Sequence, residues 1–176
     1  MADEVNGKHK CNDAASVAVD EKRPVFTVLR PHLIVEAPKA AEAIQFYKRA
    51  FGAEEGFKSL HPKRKADQEL PLILHALLKF GAAEVIVCDE TDDGVEGVKS
   101  PVSLKGTTAI LHLETDDVES AFKKAVQAGA IAVHKISKRT SGQVHGEVKD
   151  PYGFVWTLST PIKPEAAAAE ADAAQA

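Results

Sequence analysis

Apolar and polar positions along this chain follow two periods, and the order of those periods occurs twice. Leu33-Ile34-Val35 runs into Glu36 as an extended segment, and then Ala40, Ala43, Ile44 and Tyr47 recur at helical spacing. The second copy begins 78 positions on, with Leu111-His112-Leu113-Glu114 followed by Val118, Ala121, Phe122 and Ala125. Each helical stretch stops at glycine-alanine, Gly52-Ala53 and Gly129-Ala130, where glycine supplies a left-handed cap. The first unit is predicted as a strand at 31–35, a helix with Pro38 in its first turn running to Phe51, and strands at 54–59, 72–80 and 84–89. A tight turn at Gly81-Ala82-Ala83 joins the last two strands. The second unit repeats the order: a strand at 108–114, a helix with Asp116 as N-cap and Glu119 completing a capping box, and strands at 132–137, 143–149 and 154–159. Asp150-Pro151-Tyr152-Gly153 is a strong turn signal between the final pair.

A duplicated strand–helix–strand–strand–strand unit predicts one α+β domain of two modules, because each unit leaves a face that the other must cover. The domain spans 25–162, with module one at 26–90, a Gly- and Pro-bearing linker at 91–106, and module two at 107–161. Residues 1–24 are polar and aperiodic and read as a disordered arm; 163–176 is an alanine- and acid-rich tail. The charged stretch 60–69 has no apolar face and reads either as a solvated loop or as a lid.

Charge and cysteine content exclude several classes. A formal charge of -4 lacks the basic face that nucleic acid requires. No apolar run approaches the roughly 20 residues that span a bilayer, and the acidic start of the chain reads neither as a secretory signal nor as a transit peptide. Two cysteines, Cys11 in the arm and Cys88 in an apolar strand, do not make a disulfide framework. A reducing, cytoplasmic setting is the expectation, with Cys88 packed as a small hydrophobe.

Ile44-Gln45-Phe46-Tyr47…Phe51-Gly52-Ala53 and Asp150-Pro151-Tyr152-Gly153-Phe154-Val155-Trp156, in order on a duplicated scaffold, resemble the vicinal oxygen chelate superfamily. That superfamily includes glyoxalase I, bleomycin-resistance proteins and extradiol dioxygenases. The resemblance covers about 26–161 and is nearest to the PhnB-like branch and to uncharacterised plant glyoxalase-like proteins. It implies two tandem βαβββ modules, each a curved sheet with one helix on its convex side, and a central cleft where the concave faces meet. It also implies a homodimer. Leu33, Val35, Leu111, Leu113, Trp156 and Leu158 are expected to face the helices. His32, Ile34, Leu77, Ile110 and Thr157 are expected to face the cleft.

Metal-dependent members of that superfamily take four ligands from the first and third strands of module one and their counterparts in module two. Carried over, those positions are His32, Leu77, Ile110 and Thr157. Leu77 and Ile110 offer no lone pair to a metal that needs donors at about 2 Å. The resemblance therefore implies a metal-free protein with no catalytic residue to name, binding a small, partly apolar molecule, and glyoxalase I activity is expected to be absent. The alternative is a divergent lyase or dioxygenase holding a divalent metal on His32, His75 and His112. By strand period, His75 and His112 share faces with Leu77 and Ile110, although each sits nearly 7 Å along its strand. The run Gly142-Gln143-Val144-His145-Gly146 replaces a GDRYG-like segment of the PhnB-like branch, leaving His145 as a pocket donor and Val144 in place of an arginine. Lys138 and Arg139 either contact an anionic ligand or form a solvated turn. The expected pocket is thus His32, Ile34, His75, Leu77, Ile110, His112, His145 and Thr157.

Overall fold

The structure, a computed structural model, describes residues 25–61, 71–92 and 94–161. The expected arm with Cys11, the C-terminal tail and most of the 60–69 stretch lie outside the described residues. Module one is β1 (His32–Val35), α1 (Ala40–Phe51), β2 (Glu54–Leu60), β3 (Ile73–Phe80) and β4 (Ala83–Asp89). A short helix α2 (Pro101–Leu104) follows. Module two is β5 (Ile110–Glu114), α3 (Val118–Ala128), β6 (Ile131–Lys138), β7 (Val144–Lys149) and β8 (Val155–Ser159). The strand orders are β1-β4-β3-β2 and β5-β8-β7-β6, with β1/β4 and β5/β8 parallel and the other pairs antiparallel. This is the α+β, tandem βαβββ architecture that the repeat predicts.

Strand period decides what each face does. Leu33, Val35, Ala76, Leu78 and Val87 are buried beneath α1, while Trp156, Leu158 and Val148 are buried on the helix side of sheet two. Leu111 and Leu113 pack against the same core but stay partly exposed. His32, Ile34 and Ile110 are not fully buried and take the alternate positions, on the open face of each sheet. Cys88 is on the open side of β4 yet is buried, and burial, with the Asp89 carboxylate beside it, pushes its thiol up to about 11.

Three local expectations are corrected. α1 starts at Ala40, so Pro38 lies in the preceding turn, because the Asp89 carboxylate accepts from the Ala40 N–H at 2.9 Å and fixes the helix start. The N-cap of α3 is Asp117, which accepts from Ser120 N at 3.0 Å; Asp116 is outside the helix, and no capping box with Glu119 forms. The linker is not all loop, since Ser100 caps α2 and accepts from Ser103 N at 3.2 Å.

The modules join differently from the expected closing of concave faces. α1 packs along α3, and Trp156 of β8 reaches Tyr47 and Phe51 of α1 and Phe80 of β3, with ring centroids 5.3, 4.7 and 5.7 Å away. The helix faces of the two sheets therefore meet. Among the described residues, no strand of one sheet comes within 8 Å of a strand of the other between α-carbons. The open faces do not close on one another within a chain, and Ile110 is left 64% exposed.

Candidate functional site

On the open face of sheet one, the register aligns His32 with Ile86 and Ile86 with Leu77, a three-strand rung of one imidazole and two aliphatic groups. The His75 ring stands edge-on to the His32 ring, centroid to centroid 5.8 Å. Ile34 pairs with Cys88 on the next rung. His32, Ile34, His75 and Leu77 thus share this face. The face is mainly apolar with two imidazoles at one corner.

The open face of sheet two is more polar. His112, Thr157, Glu147 and His134 lie along one rung from β5 across β8 and β7 to β6. His134 Nδ1 donates to Glu147 Oε2 at 2.7 Å, and Thr157 Oγ1 makes a long contact of 3.5 Å with Glu147 Oε1. His112 Nε2 and Ser159 Oγ are 2.6 Å apart, and Gln143 Nε2 donates to the same Oγ at 3.3 Å. His145 shares this face; its Nε2 is 3.5 Å from Ser137 Oγ, and its Nδ1 is buried with no partner. Ile110 pairs with Val155 on the neighbouring rung. Ile110, His112, His145 and Thr157 are therefore grouped, on the other sheet from His32.

Glu147, His134, Ser159 and Gln143 were not among the residues that the sequence singled out. Glu147 was legible in principle. A hairpin turning at Asp150–Gly153 places residue 147 opposite residue 157, so a carboxylate sits across from the threonine at the expected fourth ligand position. His134 was not, because irregular register between β6 and β7 breaks the counting.

The donor set does not match the family's metal site. Leu77 and Ile110 occupy two of the four positions, and His32 and His112 are on sheets that do not approach each other within a chain. Among the described residues, no three His, Cys, Asp or Glu side chains are grouped to hold a metal ion. What the two faces can do is bury apolar groups and exchange hydrogen bonds. The described helices include none long and apolar enough to cross a membrane.

Comparisons with known proteins agree with this architecture. Residues 32–90 match the glyoxalase At5g48480-like N-terminal domain and 110–159 match the glyoxalase At5g48480-like C-terminal domain. The uncharacterized protein At5g48480 of Arabidopsis thaliana is 39% identical over 153 residues, 84% of this chain and 90% of that protein. The uncharacterized protein Mb0911c of Mycobacterium bovis is 34% identical over 140 residues, 79% of this chain and 86% of that protein, so relatives are bacterial as well as plant. The X-ray structure of the Arabidopsis At5g48480 product superposes with a TM-score of 0.58 at 32% identity, covering 77% of this chain and 99% of that one. A putative 3-demethylubiquinone-9 3-methyltransferase, PhnB protein, from Bacillus cereus shares the fold, with a TM-score of 0.55 at 20% identity over 77% of this chain and all of its own, 100%. The chain belongs to the glyoxalase At5g48480-like family.

Proposed function

We propose that this protein binds a small, partly apolar molecule without a metal, in a cleft that two copies of the chain build together. Sheet one of one copy supplies His32, Ile34, His75 and Leu77; sheet two of the other supplies Ile110, His112, His145 and Thr157, with Glu147 beside them. The observation that carries this reading is the state of the open faces. Each presents aliphatic groups at the places where a metal site needs donors, next to polar groups with unused capacity, above all the buried and partnerless His145 Nδ1. An apolar pocket with a few convergent polar atoms is the usual form of a small-molecule site. A reducing, cytoplasmic setting fits the unpaired Cys88 thiol.

Glyoxalase I turnover needs a metal to polarise the substrate oxygens and a carboxylate to move the proton. General acid–base catalysis alone contributes roughly 10²–10⁴ in rate, and metal polarisation adds several kcal/mol. The test is an assay with methylglyoxal and glutathione, supplemented in turn with nickel, zinc and cobalt, together with elemental analysis of the purified protein. No turnover and no stoichiometric metal are expected. Turnover near about 1–10³ per second would overturn the proposal.

A second reading is favoured by one contact, the edge-on pair of His32 and His75 at 5.8 Å. With His112 of a second copy, those imidazoles would supply three nitrogen donors to a divalent metal in a lyase or dioxygenase. Stoichiometric metal that is lost in a His32→Ala variant would select this reading.

A further inference from the structure

The seam where the helix faces meet holds a cavity of about 650 Å³. It lies on the opposite side of each sheet from the open face, and both modules line it. Phe51 at the end of α1, Phe80 at the end of β3 and Leu158 of β8 form its apolar wall. Phe51 and Phe80 are only half-buried, although both rings pack on Trp156 behind them. The volume is that of an ordinary small-molecule pocket, about 300–1,000 Å³.

Charge around the wall is unevenly used. Lys48 is paired with Glu55 at 3.3 Å, but Arg49 of α1 and Lys124 of α3 have no hydrogen-bond or ion-pair partner among the described residues. The acids of the rim are Glu114, Asp116 and Asp117 in the β5–α3 connection, and Asp117 is committed to capping α3. Lys124 is two turns further along α3 than Asp117, a rise of roughly 10 Å. After the Ser120 hydrogen bond, its charge contributes to lowering the Asp117 carboxyl without a direct ion pair.

We propose that this seam cavity binds a small aromatic acid, its ring against Phe51 and Phe80 and its anionic group held by Arg49 and Lys124. Glu114 and Asp116 on the rim accept from an amine or hydroxyl on the same molecule. Arginine suits the anion because its planar fork meets a carboxylate, sulfonate or phosphate through two hydrogen bonds. The site is separate from the open-face cleft and stands or falls independently of it.

The chain supplies its own reporter, since Trp156 is its one tryptophan and lies 4.7 Å from the Phe51 ring, centroid to centroid. The probes are 8-anilinonaphthalene-1-sulfonate, an aromatic anion with an N–H donor, and N-phenyl-1-naphthylamine, the same rings without the sulfonate. Titration of the full chain is followed by quenching of Trp156 and energy transfer to the probe. The anion is expected to bind about tenfold or more tightly than the neutral analogue, the worth of one good charged hydrogen bond. A double Arg49→Ala, Lys124→Ala variant should erase that difference; both residues are exposed, and an unchanged melting temperature would confirm that the fold is kept. Lys123→Ala and Lys135→Ala, exposed cations that line neither this cavity nor the open-face cleft, should leave it intact. Equal affinity for the two probes in the wild type, or unchanged anion affinity in the double variant, would overturn the proposal. So would an equal loss of the anion preference in those control variants.

Discussion

Asp150 shows how much a single side chain can hold. It opens the turn between β7 and β8, and its carboxylate is almost wholly enclosed. Oδ2 accepts from Tyr47 Oη at 2.8 Å and from Trp156 Nε1 at 2.9 Å, while Oδ1 accepts from the backbone N–H groups of Tyr152 and Phe154, each at 2.9 Å. One residue thus closes its own turn, fixes the indole of its module and reaches helix α1 of the other. Burial pushes its pKa above the usual carboxylate range even though all four donors oppose that shift. The phenol of Tyr47 is held well above its ordinary value, first by its own burial and then by the Asp150 charge. Asp150→Ala leaves several buried donors unsatisfied and is expected to cost on the order of 4 kcal/mol, whereas Tyr47→Phe removes one charged hydrogen bond and should cost about 1.5–3 kcal/mol. Denaturant unfolding of the two variants measures both. A loss below 1 kcal/mol for Asp150→Ala would mean that the carboxylate does not join the modules. The sequence marked Asp150 as a turn residue and marked Tyr47 and Trp156 as core. It could not mark their meeting, because a bond across 103 positions has no local periodicity.

At the level of elements, the duplicated pattern made strand and helix order legible because periods of 2 and 3.6 follow directly from backbone geometry. Boundaries escaped where a distant side chain decided them, as Asp89 does for α1. α2 escaped for a related reason: it is one turn long, and its start is held by Glu90, which accepts from Ser100 N at 2.9 Å and from Ser103 Oγ at 2.8 Å and pairs with Lys99 at 3.2 Å. Partial burial works against the Glu90 charge, but these donors outweigh it and bring its pKa down to about 2. A carboxylate whose folded pKa is depressed adds stability above its ordinary value of 4.5 and loses it as pH falls toward about 2. Asp89 and Asp150 have the opposite sign, since their raised values favour the folded state at low pH and that contribution fades as pH rises. The stability advantage of the wild type over Glu90→Gln should therefore shrink between about pH 4.5 and 2. An advantage independent of pH over that interval would contradict the network. α2 also meets the Asp150 turn. Gly153 has φ +95°, and a Cβ there would come within 2.8 Å of Pro101 Cβ. Gly153→Ala combines a left-handed strain of about 1–2 kcal/mol with that clash, so a fall in melting temperature of several degrees is expected.

For the whole molecule, the arrangement of modules leaves two open faces that, among the described residues, do not close on one another within the chain, and a cavity where the helix faces meet. The open face of sheet two carries Ile110 at 64% exposed and Ile131 at 70% on one rung, and the segment leading into β1 holds Phe26 at 91% and Leu29 at 89%. Large apolar side chains grouped in water in this way are the usual form of a surface that meets a partner. In the proposed pair a second copy serves both faces, because a two-fold axis that sets sheet one of each chain against sheet two of the other makes two equivalent clefts. The sequence indicated which residues share an open face, through alternation along β1, β3, β5 and β8, but not that the two faces stay apart within one chain. Strand period tells which side of a sheet a residue is on, and nothing about which sheet it will face. Light scattering at micromolar concentration is expected to return twice 18.8 kDa for the full chain. Ile110→Asp puts a charge into the contact at a position that is already in water in the single chain, so it should yield a folded monomer. In that variant the melting curve should lose its dependence on protein concentration, as dissociation of a stabilising partner requires. A wild type that scatters as a monomer, or an Ile110→Asp protein that still pairs, would remove the two-copy cleft and with it the proposed binding site.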